Sequence, residues 1–204
     1  MNFKNFTLNG ISVFLGLIFF TAGMGKLFFE HRYPGLIGPV WLEERLATFW
    51  LGLFARFIAY TQVLVGFVLL TLRYRTLGAI MLLPLLLNIL VVTISLHWRG
   101  TPYVLAFLLG LNLVLLLAEA PKLLHLLGFR TAYRPPVAAP SPATYGLVWL
   151  AGLAVMLASI PVSAYLPAAG YLLSILGPGI GLATYLKGGR AGEQPASPAT
   201  PSPI

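Results

Sequence analysis

Long apolar runs, most of them flanked by single cations, dominate the chain. The first covers Gly10–Phe29, with Lys4 ahead of it and Lys26, Glu30 and His31 at its far end. Three more follow at Phe49–Arg73, Thr76–Trp98 and Thr101–Ala120, the last stopping at Pro121-Lys122. A bilayer core about 30 Å thick needs roughly 20 apolar residues per helix, so each run predicts one crossing. Arg73-Tyr74-Arg75 and Trp98-Arg99-Gly100 join the second run to the third and the third to the fourth. Turns this short force neighbouring helices to run antiparallel and pack as a bundle.

Residues 129–144 then change character, reading as a proline-rich extended linker. Two further apolar runs, Tyr145–Leu166 and Tyr171–Leu186, predict a hairpin, and residues 188–204, rich in Pro, Ser, Ala and Gly, predict a disordered tail. Gly177-Pro178-Gly179 interrupts the last run, which leaves a kink, a break or a re-entrant path open there. The expected fold class is an all-α integral membrane protein. A four-helix transmembrane bundle occupies residues 1–128 and a C-terminal two-helix hairpin residues 145–187, giving six spans of which the sixth is the least regular. The first run is longer than the apolar core of a signal peptide and lacks a small-x-small cleavage site before Lys26, so an uncleaved span is expected. The two halves show no internal repeat, which disfavours an inverted-repeat transporter.

Composition sharpens this picture. Hydrophobic residues make up 58% of the 204 and charged residues 9%, against about 25% charged in a soluble domain. A soluble enzyme and a disordered chain are both excluded. Cysteine is absent, so disulfides, thiolate chemistry and iron–sulfur ligation by this chain are excluded too. The net charge of +8 comes from single cations at helix ends. That pattern suits snorkelling and contact with anionic headgroups, and no nucleic-acid partner is expected. Eight of the thirteen Lys and Arg residues fall on the side of the N-terminus, which places both termini in the cytoplasm.

Polar residues inside such a chain must find partners or a wet cavity. Gly16, Phe19, Phe20, Gly23, Lys26, Leu27 and Glu30 share one face of the first helix. Its glycines permit close approach of another helix, and Lys26 and Glu30 stand one turn apart, within pairing distance. Val40–Trp50 predicts a short amphipathic helix on the membrane surface, presenting Glu43, Glu44 and Arg45 to water. Arg56 and Tyr60 stand four apart on the second span, and His97-Trp98-Arg99-Gly100-Thr101-Pro102 is the densest polar junction. Closing the bundle gathers Lys26, Glu30, Glu43, Glu44, Arg56, Tyr60, His97 and Arg99 at the external rim. A cluster of mixed charge there suits an anion, a quinone headgroup or a partner subunit; the same residues also suit plain interfacial anchors and a lid. Gln62, Asn88 and Asn112 lie deeper and are expected to fasten helices, each hydrogen bond contributing on the order of 1 kcal/mol. His31, His97 and His125 lack metal-ligand spacing, the methionines Met24, Met81 and Met156 are scattered, and no phosphate loop or nucleophile elbow occurs. No metal or haem site is expected.

Phe14-Leu-Gly-Leu-Ile-Phe-Phe-Thr-Ala-Gly-Met-Gly-Lys26-Leu, the amphipathic segment with Trp41, and His97-Trp-Arg-Gly-Thr-Pro102 together resemble the DoxX-like membrane family over roughly residues 8–128. The resemblance implies a four-helix bundle in a bacterial inner membrane, with Lys26 and His97 at matching positions. Some members of that family are membrane subunits of thiosulfate:quinone oxidoreductases, so it also implies quinone-linked or small-molecule oxidation at the non-cytoplasmic face, beside a membrane or periplasmic partner. Relatives with the same plan that use cysteine pairs, the MauE-like and vitamin K epoxide reductase-like proteins, lend no activity to a chain without cysteine. Two other functions stay in view: a non-catalytic assembly or chaperone-like role in which the Glu43–Arg45 helix docks a partner, and a small-solute transporter.

Overall fold

The computed structural model describes residues 3–37, 42–129 and 143–191. The expected linker and tail fall largely on residues 130–142 and 192–204, outside that set. Regular structure among the described residues is entirely helical: α1 (Phe3–Leu27), α2 (Leu42–Ala47), α3 (Gly52–Leu70), α4 (Arg75–Ser95), α5 (Thr101–Ala118), α6 (Ala120–Leu126), α7 (Ala143–Ser163) and α8 (Pro167–Ala191). A 3₁₀ turn, Phe29–His31, follows α1. Helices α1, α3, α4, α5 and α7, with the Pro167–Lys187 stretch of α8, are long and apolar enough to cross a membrane. This is the architecture of a multi-pass membrane protein. Helix α1 starts at Phe3, ahead of the apolar run, because helical bonding continues through the mixed stretch Lys4–Asn9, which buries Leu8. Helix α8 runs unbroken through Gly177-Pro178-Gly179 and on to Ala191; a proline inside a spanning helix is tolerated where neighbouring groups take up the freed backbone bond.

Four helices form a closed ring, with α1 against α3, α3 against α4, α4 against α5, and α5 back against α1. The α1–α3 contact is the closest, and glycine is the reason. A methyl group added at Gly23 would sit 2.7 Å from the carbonyl oxygen of Ala59, and one at Gly66 would sit 2.5 Å from the Phe20 nitrogen. Backbones approach this closely only where side chains are missing. Ser12, buried on α1, adds a hydrogen bond from its Oγ to the Leu69 carbonyl at 3.0 Å. Aliphatic side chains fill the ring interior, among them Leu15, Ile18, Leu82, Leu86, Leu108 and Leu115.

Helices α7 and α8 pair through a second glycine crossing. Gly152 admits the carbonyl of Gly177, and Gly177 admits that of Gly152. The pair shares a core with α1 and α3 that includes Phe20, Met24, Phe67, Trp149 and Met156. Trp149 donates from Nε1 to Thr71 Oγ1 at 3.0 Å and meets the rings of Phe67 and Tyr74 edge-on. At the other end Tyr171 stacks on Tyr33 and packs at a tilt against Phe28, the Phe29 N–H donates to Ser163 Oγ at 3.1 Å, and Tyr33 Oη shares a hydrogen bond with Ser174 Oγ. Burial pushes the Tyr33 phenol above its ordinary pKa against the opposing pull of the Ser174 bond, so that phenol stays neutral through the physiological range.

The glycine crossing makes a direct prediction. Gly66→Ala drives a methyl group into the Phe20 backbone and should cost about 1–3 kcal/mol as overpacking. Gly110→Ala meets nothing within 4 Å and should leave stability unchanged or slightly raised. Melting temperatures of the two variants in detergent check both.

Candidate functional site

Lys26 lies in the last turn of α1, on the face turned to α3. Its Nζ donates to the Ala22 carbonyl at 2.7 Å and to Gln62 Oε1 of α3 at 3.0 Å. The α1–α3 crossing sets this pair. Gly23 rests on Ala59 and Val63, so the side chain one turn beyond Gly23 meets the residue beside Val63. An ammonium has three donors. Two are used, and among the described residues no carboxylate or further acceptor takes the third.

The Lys26 head borders a cavity of about 60 Å³ inside the ring. All four ring helices contribute walls: Ile18, Phe19 and Ala22 from α1, Ala55 and Ile58 from α3, Ile89, Val92 and Thr93 from α4, and Thr101, Leu105 and Leu108 from α5. Ile37, Leu46 of α2 and Trp98 cover its end, and it is partly open. One buried water needs roughly 10–15 Å³ of such space and occupies about 30 Å³ of liquid. The cavity therefore has room for a few waters and, being partly open, for part of a larger guest. Its lining is mostly apolar, and Thr93 spends its hydroxyl on the Leu90 carbonyl of its own helix at 2.9 Å. Such walls favour an apolar body, while the spare Lys26 donor favours a hydrogen-bond-accepting or anionic head.

The other rim residues are placed differently. Glu30 lies beyond the end of α1 in left-handed backbone (φ 50°), is exposed, and pairs with Arg32 instead of Lys26. Glu44 is exposed on α2, whereas the side chains of Glu43 and Arg45 lie outside the described set, as does Trp41. Arg56 and Tyr60 lie on the exposed face of α3. His97, also left-handed (φ 54°), closes α4: its N–H donates to the Ile94 carbonyl at 2.9 Å and that of Trp98 to the Thr93 carbonyl at 3.0 Å. This is the usual glycine position of a helix C-terminus, and it leaves both His97 and Arg99 exposed while Trp98 turns onto the cavity. Of the seven rim residues whose side chains are described, Lys26 alone borders the cavity.

The three deeper amides also divide. Asn112 is buried and donates to the Ala79 carbonyl at 3.1 Å, tying α5 to α4. Asn88 is exposed and bonds the Pro84 carbonyl of its own helix. Gln62 belongs to the site as the partner of Lys26, a role the sequence reading did not give it. Thr93, Trp98 and Thr101 were also missed as wall residues. The usable signal was the spacing Gly23-x-x-Lys26 on one helix against Gln62-x-x-x-Gly66 on the other.

No protein-family model, curated protein or solved structure matches the chain.

A pair of substitutions tests whether Lys26 is kept for stability. Gln62→Leu strips an acceptor from a buried ammonium and should destabilise by about 1–3 kcal/mol. Lys26→Met removes the charge while keeping the stem, and joined to Gln62→Leu it should recover most of that loss, because replacing both partners by apolar groups is close to neutral. Chemical or thermal unfolding of the two single variants and the double variant measures the cycle.

Proposed function

We propose that this protein is a DoxX-like inner-membrane subunit whose Lys26 cavity binds a small lipid-soluble molecule with a hydrogen-bond-accepting head, a quinone being the best chemical match, in support of oxidation at the non-cytoplasmic face. What carries the reading is the spare N–H of Lys26, held by Ala22 and Gln62 at the edge of an apolar cavity. The fit is chemical on two counts. Aliphatic walls suit the apolar part of such a molecule. The ammonium suits a carbonyl oxygen, and a charge-assisted hydrogen bond of that kind is worth about 1.5–3 kcal/mol.

A bound quinone supplies acceptance of two electrons and two protons. The chain's own residues bind and orient: Lys26 fixes the head oxygen, Gln62 fixes Lys26, and Leu46, Ile37 and Trp98 limit the entry of water. The electron donor belongs to a partner subunit, since a chain without cysteine brings no thiol couple. The Lys26 end faces outward in this reading, because Arg73, Arg75, Lys122 and Lys187 gather at the opposite end. A non-catalytic assembly role is the competing reading, supported by Phe49 and Trp50, large aromatic residues fully or largely exposed next to α2.

Titrating the purified protein with a short-chain quinone, read by tryptophan emission, separates the two. Saturable quenching is expected in the wild type, sharply reduced in Trp98→Phe, with the dissociation constant raised about tenfold or more in Lys26→Met. An unchanged constant in Lys26→Met would remove the proposed role of that residue. Binding of decanoate without binding of quinone would reassign the cavity to an anionic lipid. Absence of either, with stoichiometric capture of a partner, would favour assembly.

A further inference from the structure

A second pocket lies at the opposite end of the ring, and its chemistry is the inverse of the first. Its volume is about 230 Å³, and its lining draws on the start of α1, the α3–α4 turn, the α5–α6 junction and the end of α8. Arg75 is the centre of its framework. Nη1 donates to Asn9 Oδ1 at 2.7 Å and Nη2 to Glu119 Oε1 at 2.5 Å, with both charged side chains four-fifths buried. Asn9 in turn donates to the Tyr185 hydroxyl at 3.3 Å, which leaves the Tyr185 O–H pointing its donor elsewhere. Lys122 stands 3.9 Å from the second oxygen of Glu119, donates weakly to Thr76 and is two-fifths exposed. Arg73 also lines the pocket. Arg75 and Lys122 together carry one positive charge more than the Glu119 carboxylate they share.

We infer that this pocket is a binding site for a phosphate-oxygen anion, and that its occupant is the headgroup of an anionic phospholipid. The charge excess asks for an anion, and the guanidinium and ammonium groups with a hydroxyl donor match phosphate oxygens. The surroundings assign the anion to a lipid. Leu124, Leu126, Leu127 and Phe129 stand exposed on and just after α6, beside Lys122, and Phe3 and Phe6 stand exposed at the start of α1, beside Asn5 and Asn9. These apolar side chains give two acyl chains a surface next to the headgroup position. The pocket lies at the end where Lys and Arg accumulate, the side on which basic pockets between spanning helices meet anionic headgroups. Because α8 supplies Tyr185, a lipid held here would clamp the hairpin to the ring.

Native mass spectrometry of the full-length protein, offered equal phosphatidylglycerol and phosphatidylcholine, tests the assignment. One phosphatidylglycerol should be retained in preference to phosphatidylcholine. Arg73→Gln/Lys122→Gln should weaken that retention about tenfold or more, with its melting temperature in phosphatidylcholine read alongside because Arg73 also packs on the Tyr74 ring. Lys122→Gln alone, on a partly exposed side chain, carries the same test at smaller amplitude if the double variant melts early. Lys122→Arg should retain the lipid, and Lys4→Gln, outside the pocket, should change nothing. Equal retention of phosphatidylglycerol by the wild type and the charge-removal variants overturns the site. Displacement of the lipid by millimolar inorganic phosphate, with matching stabilisation of the lipid-free protein, overturns the lipid as its occupant and leaves free phosphate.

Discussion

The close crossing of α1 and α3 determines the positions of nearly everything else. Gly16 and Gly23 on one helix and Gly66 on the other replace side chains with backbone contact, and a crossing that tight has little freedom to slide. It decides that Lys26 meets Gln62 and that Ser12 meets the Leu69 carbonyl. Helices α4 and α5 then complete the ring with Leu, Ile and Val, and a cavity remains at the Lys26 end. On the opposite flank the same two helices offer Phe20, Phe67 and Thr71 to Trp149 and α8.

The two ends of the ring show opposite solutions to burying charge. At one end a single ammonium sits against apolar walls with two neutral acceptors, an arrangement that stabilises poorly and favours an incoming polar head. At the other, Arg75 has a carboxylate and an amide around it at the edge of a polar pocket. The first is suited to a guest with an apolar body and the second to an anion at an interface. Both depend on helices far apart in sequence: Lys26 with Gln62, and Asn9 with Arg75, Glu119 and Tyr185.

Helix positions were legible because long apolar runs have few alternatives to crossing a bilayer, and most spans fall within a few residues of their predicted limits, α1 beginning at Phe3 instead of Gly10. The glycines of α1 signalled a close neighbour without naming it. The rim cluster was not legible in the same way. Expecting Lys26 to pair with Glu30 assumed a helix continuing past Leu27, but the chain leaves α1 there and turns through left-handed residues at Glu30 and His31. His97 attracted attention as a polar residue at a junction, yet its backbone closes α4 and sends the side chain outward, so Trp98 and Thr101 reach the cavity in its place. Helix ends follow from capping geometry that a lone sequence encodes weakly. The Arg75 network escaped notice because its members looked like ordinary interfacial anchors when taken singly.

The central claim is that α1 and α3 meet so that positions 26 and 62 face one another across a shared cavity. A chain with no native cysteine allows a clean test by crosslinking in native membranes. Lys26→Cys/Gln62→Cys should be bridged rapidly and nearly completely by a short bis-thiol reagent, and Lys26→Cys/Tyr60→Cys, with its second thiol on the exposed face of α3, should not. Equal bridging of the two pairs, or bridging of the Tyr60 pair alone, would contradict the crossing and the site built on it.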